Sequence, residues 1–214
     1  MTTLSLPLAL VLPFFPQLRR KMAALVQFQA DDPDLAVLML LLQTAAIDPR
    51  PEAVYPVLHT YRDRLDENLG EQLYRWSASR LKQVTPTEAE DIATTLVNFS
   101  NRLCTFKPDR DSQILEIARL GYEAALIFYG RDNFPQNWAK IQYNLGCLYR
   151  DRKRGQLDDN IRMAISYLEN AQKVFTAVAY PQESRLIQHH LMAVYQQQSY
   201  LQAGNNLEEL ISNS

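Results

Sequence analysis

Residues 134–149 read FPQNWAKIQYNLGCLY, and a shift of 46 residues lays them on YPQESRLIQHHLMAVY at 180–195. The match extends both ways. Ala118, Glu123, Ala125, Tyr129, Phe134, Pro135 and Gln136 recur as Ala164, Glu169, Ala171, Phe175, Tyr180, Pro181 and Gln182. Downstream, Ile141, Gln142, Leu145 and Tyr149 recur as Ile187, Gln188, Leu191 and Tyr195. One period earlier, Asn98, Phe99, Ser100 and Leu103 stand under Asn144, Leu145, Gly146 and Tyr149 as a fainter echo. The period is therefore sustained about two and a half times, which is the mark of a repeat architecture.

Each period holds two helices, and one helical hairpin cannot bury both of its apolar stripes alone, so neighbouring hairpins must stack. Gly146 on the first helix and Ala164 and Ala171 on the second let backbones approach, while Leu145, Tyr149, Leu168 and Phe175 fill the space between.

Punctuation and periodicity place the helices. Met1–Pro16, with Pro7, Pro13 and Pro16, reads as an irregular lead-in, followed by a helix over about 17–30. Asp31-Asp32-Pro33 stops it and starts another over 33–47 that is apolar nearly all round and hence covered on most sides. A third helix starts near Pro51 and carries Val54, Leu58, Tyr61 and Leu65 on one face, with Gly70 marking a break before a fourth over about 71–84. Thr85 and Glu88 have the spacing of a capping box, opening a helix over 86–104 with Ile92, Leu96, Phe99 and Leu103 inward. Further helices follow over about 112–129, 136–152, 158–178 and 182–198, and a last one over 200–211 closes the array. No run alternates as a strand would, and neither Asn-Gly nor Asp-Gly occurs, so the class is all-α. The division expected is a divergent helical region at 1–85 and the repeats at 86–214.

Composition narrows the function. Twenty-four acidic and 22 basic residues leave a formal charge of -2, which makes no electrostatic case for a nucleic-acid or membrane partner. Two cysteines, Cys104 and Cys147, fit neither a disulfide framework nor a metal knuckle, and a reducing cytoplasm is the expected compartment. LPLALVLPFF near the N-terminus is followed, not preceded, by Arg19, Arg20 and Lys21, against a signal peptide. The apolar run 35–47 is short of the roughly 20 residues a membrane helix needs. GxSxG, HExxH, P-loop and GxGxxG patterns are absent and His59 is isolated, so neither an enzyme nor a cofactor is expected.

NLGCLY at 144–149, followed by Ala164, Leu168 and Ala171, resembles the tetratricopeptide repeat, whose pattern pairs Leu-Gly with a tyrosine three residues on and two alanines on the next helix. The string FPQNWAKIQYNLGCLYRDRKRG with AISYLENAQKVFT resembles its long-repeat subclass in cyanobacterial multi-repeat proteins, over roughly 114–195. Tyr149 and Ala164 are fifteen apart where nine is usual, the extra residues falling in RDRKRG. The resemblance implies a right-handed helical solenoid working as an interaction module, with first helices lining a concave groove. Its register selects Val97, Asn98, Asn101 and Cys104, then Lys140, Tyr143, Asn144, Cys147 and Arg150, then His189, His190, Ala193 and Gln196 as ligand contacts, for a peptide or helix of another protein. The later copy departs at His190-Leu191-Met192, where Asn-Leu-Gly stands in the earlier one. A homodimer through the first 16 residues or through an uncovered face of the terminal helix is the other partner considered.

Three constellations have plainer readings. Lys140 and Asn144 at i, i+4 suit the carboxylate clamp of tetratricopeptide grooves, yet Leu186 and His190 occupy the same places one period on, which favours repeat consensus and a solvated lysine. Cys104, Cys147, His189 and His190 lack metal-ligand spacing. Arg150, Arg152, Lys153 and Arg154, with Lys107 and Arg110, form a basic cluster that Asp151, Asp158 and Asp159 offset.

Overall fold

The computed structural model describes residues 33–106 and 112–212, without the side chains of 112 and 205–212. The expected lead-in, the helix over 17–30 and the loop cations Lys107 and Arg110 lie outside the described residues. Eight α-helices and no strand are found among those described. They fall into two compact units, one ending at Phe128 and the other beginning at Tyr129.

In the first unit, α1 (Pro33–Ile47) buries Leu38, Leu41, Leu42 and Ala45 completely, as its unbroken apolar run requires. α2 (Pro51–Thr60) is shorter than periodicity suggests. A 3-10 turn at Arg62–Arg64 follows it, with Arg64 paired to Asp34, and α3 (Glu67–Arg80) then begins behind Asp66. The Asp66 carboxylate accepts from Leu69 N at 3.0 Å, a stronger start signal than the continuing stripe. Gly70 is accordingly no break. It lies within α3 as a contact point, where an added methyl would stand 3.0 Å from Leu120 Cδ1 and 3.4 Å from Ile117 Cα of α5 (Ser112–Ala125).

α4 (Pro86–Thr105) opens with the expected capping box: Glu88 N donates to Thr85 Oγ1 at 3.4 Å and Thr85 N to Glu88 Oε2 at 2.9 Å. Ile92, Leu96, Phe99 and Leu103 form its buried row. α4 meets α5 at a close crossing, because a methyl on Gly121 would lie 2.3 Å from Ser100 Oγ.

The second unit holds α6 (Pro135–Asp151), α7 (Leu157–Gln172) and α8 (Pro181–Ser212). α6 and α7 form the tightest pair. A methyl on Gly146 would stand 2.6 Å from Leu168 Cγ, Tyr149 stacks on Tyr167 at 5.4 Å, and Asn170 Nδ2 donates to Gln142 Oε1 at 3.2 Å. Their connection is pinned from below by buried Asn160, whose Nδ2 donates to Arg152 O at 3.3 Å and to Arg154 O at 2.9 Å. Gly155 supplies the positive φ, 83°, that this turn needs, the one such residue among those described.

The 46-residue period is visible in the contacts preceding α6 and α8. Tyr129 meets Phe134 edge-on at 5.4 Å, and Phe175 meets Tyr180 edge-on at 5.2 Å. Two expected boundaries change here. The helix over 158–178 stops at Gln172, its end folding into turns, and the two helices expected over 182–198 and 200–211 are one continuous α8. Gln198-Ser199-Tyr200 contains neither Gly nor Pro, and a lone potential cap does not interrupt a helix that is already propagating.

Candidate functional site

Residues 140, 143, 147 and 150 follow the 3–4 spacing that gathers side chains on one side of a helix. On α6, Leu145, Gly146, Leu148 and Tyr149 are buried, leaving Tyr143, Asn144, Cys147 and Arg150 half-buried and Lys140 exposed. Across this row comes His190 of α8. Its ring lies edge-on to Tyr143 with centroids 5.5 Å apart, and its Nδ1 is hydrogen-bonded to Arg150 Nη1. Asp151 orients the guanidinium, accepting from Nε at 2.8 Å and Nη2 at 2.9 Å.

The protonation pattern follows from these partners. A guanidinium has only donors, so His190 Nδ1 must accept and the imidazole proton is assigned to Nε2. Burial lowers the His190 pKa, with the charges of Arg150 and His189 adding to it. Burial likewise pushes the Tyr143 phenol up to about 12, helped by its hydrogen-bonded neighbour Cys147. The Cys147 thiol is raised by burial too, against the opposing pull of Tyr143 and Arg150. At neutral pH the patch therefore has one ion pair, Arg150 with Asp151, surrounded by an uncharged phenol, thiol and imidazole. A protonated, half-buried thiol is a poor nucleophile and a poor metal ligand, whereas an imidazole N–H beside an aromatic face suits recognition of a polar acceptor.

Of the residues the sequence singled out, Tyr143, Cys147, Arg150 and His190 come together. His189 stands at the edge, its ring 5.5 Å from that of His190. Lys140 and Gln196 are exposed, and Asn144 is half-buried on α6. Asn98 and Asn101 belong to α4 in the other unit; Asn101 Oδ1 accepts from buried Tyr122 Oη at 2.6 Å, so it helps hold α5. The basic segment is partly structural: Arg152 lies over the Tyr149 ring at 5.4 Å and donates to Asn160 Oδ1 at 3.0 Å, while Arg162 pairs with Asp158 and Asp159. Asp151 and Asn160 are the residues a sequence reading undervalues. Asp151 counted there only as local neutralisation; its adjacency to Arg150 is the signal for an orienting role.

Among the described residues, no group of three His, Cys, Asp or Glu side chains is arranged to hold a metal ion, and no helix is long and apolar enough to cross a membrane. Comparison with family models, curated proteins and solved structures finds no match for the chain.

Proposed function

We propose that the chain is a non-catalytic protein-interaction module of the tetratricopeptide kind, its hairpins stacked as a right-handed solenoid and its α6 and α8 side chains receiving a peptide or helix of a partner protein. The observation that carries this reading is the half-buried patch of Tyr143, Cys147, Arg150 and His190, assembled from two helices out of residues that the resemblance assigns to ligand contact. Its uncharged donors and aromatic rings suit a peptide's carbonyl groups better than a transferable group. Affinity capture with the full chain from its source cell, followed by mass spectrometry, names the partner. The pair Asn144→Ala and Arg150→Ala is expected to weaken that partner's binding at least tenfold, about 1.4 kcal/mol, with the helical circular dichroism unchanged. Binding that survives both substitutions moves the site elsewhere.

A second reading is self-assembly, favoured by the apolar side chains α8 leaves in solvent: Met192 is 73% exposed, Tyr200 71% and Leu186 55%. Light scattering on the full chain, on a chain lacking residues 1–16 and on Met192→Lys separates the two readings. A monomeric full chain excludes this second reading.

A further inference from the structure

α8 lies mainly along α7 and meets α6 over a much shorter strip. Across that strip the described contacts converge on His190, which touches Tyr143 with its ring and Arg150 with its Nδ1. Because Asp151 grips the Nε–Nη2 edge of the Arg150 guanidinium, Nη1 is turned toward the imidazole.

We propose that the Arg150–His190 pair is an acid-released latch that seats the N-terminal half of α8 against α6. The argument is one of donors and charge. Arg150 stays protonated at every accessible pH and offers only N–H groups. Neutral His190 can accept from it at Nδ1; protonated His190 carries a hydrogen there and a second positive charge beside the first. Proton binding thus turns this hydrogen bond into a donor–donor clash.

The surroundings favour the neutral form. From α6, Arg150, Asp151 and Tyr143 face the imidazole, and on its own helix the charge of His189 lowers the His190 pKa further. Asp151 opposes, but its carboxylate is committed to Arg150. On α7, Glu169 accepts from Tyr195 Oη at 2.8 Å and Lys173 donates to Asn170. With its folded pKa below the ordinary 6.5, His190 contributes stability that is complete above the unfolded value and is lost as pH falls through the folded one. Release parts His190 from Tyr143 and so takes apart the two-helix patch. That consequence for binding rests on the interaction reading above, whereas the latch itself needs no partner.

The test uses the full chain alone. Imidazole ¹⁵N shifts report the His190 tautomer and titration, and amide hydrogen exchange reports α8. The expected result at pH 7.5 is a proton on Nε2, with a midpoint below 6.5 on acidification. Protection at residues 187–194, corrected for the intrinsic effect of pH, should drop about tenfold between pH 7.5 and 5, while residues 161–168 of α7 keep theirs. His190→Gln, whose amide oxygen accepts from Arg150 without titrating, should keep α8 protected at both pH values. A proton on Nδ1 at neutral pH, a midpoint at or above 6.5, no loss of protection, or the same loss in His190→Gln overturns the latch. None of these outcomes bears on whether a partner is captured, and failure to capture one leaves the latch untouched.

Discussion

α6 and α8 start alike, at Phe-Pro-Gln and Tyr-Pro-Gln one period apart, and end in opposite surroundings. The position that decides it is Gly146 in α6 and Met192 in α8. Gly146 receives Leu168 of α7 at a distance that admits no side chain, and Met192 extends into solvent. One period earlier the same position is Ser100, buried, and there the glycine sits across the crossing at Gly121. Two helices that turn back into a hairpin are small on one side of the crossing. α8 does not turn back within the described residues, and its residue at that place is large. The lesson is that this position encodes whether a second helix is packed against the first.

Installing α8's residue in α6 is the most damaging way to test that claim. Gly146→Met must displace Leu168 and press on its backbone nitrogen, 3.2 Å from the first carbon added, and is expected to cost about 3 kcal/mol by overpacking. Urea unfolding followed by circular dichroism measures it; a loss below 1 kcal/mol would mean that α7 moves aside freely. Removing the pin under the hairpin comes next. Asn160→Ala leaves the carbonyls of Arg152 and Arg154 without their buried donor and should cost about 2 kcal/mol in the same assay. The reverse exchange, Met192→Gly, meets no packing partner and should cost only the propensity of glycine in a helix, about 1 kcal/mol. Smallest is Ser100→Ala. The Ser100 hydroxyl is buried with no hydrogen-bond partner, so its loss should fall within about 0.5 kcal/mol of neutral or stabilise.

Chemistry separates the two helices as well, since Cys147 of α6 corresponds to Ala193 of α8. Its raised pKa keeps the thiol protonated, so in a Cys104→Ser background Cys147 should alkylate at pH 8.5 more slowly than free cysteine. Unfolding in urea should abolish the difference.

Much of this was legible beforehand because it is local. Thr85 with Glu88, Pro33 at the start of α1, and the spacing of Ile92, Leu96, Phe99 and Leu103 each specify structure within one or two turns. Gly70 was misleading for the opposite reason: glycine marks both a break and a close approach, and only Leu120, fifty residues away, tells which. The site divides the same way. Tyr143, Cys147 and Arg150 share a side of α6 by spacing alone, but that His190 rather than His189 turns toward them depends on how α8 is rotated against α7.

The sequence by itself determined the all-α class of the described residues, the capping box that opens α4, and a 46-residue period. Those features rest on backbone preferences and on apolar periodicity, which act over a few residues. Tertiary structure decided that α8 runs unbroken, that Gly70 and Gly121 are contacts, that Asn160 holds the basic turn, and that an arginine and a histidine forty residues apart share one hydrogen bond. Each of those depends on which surfaces meet, and no single segment carries that information.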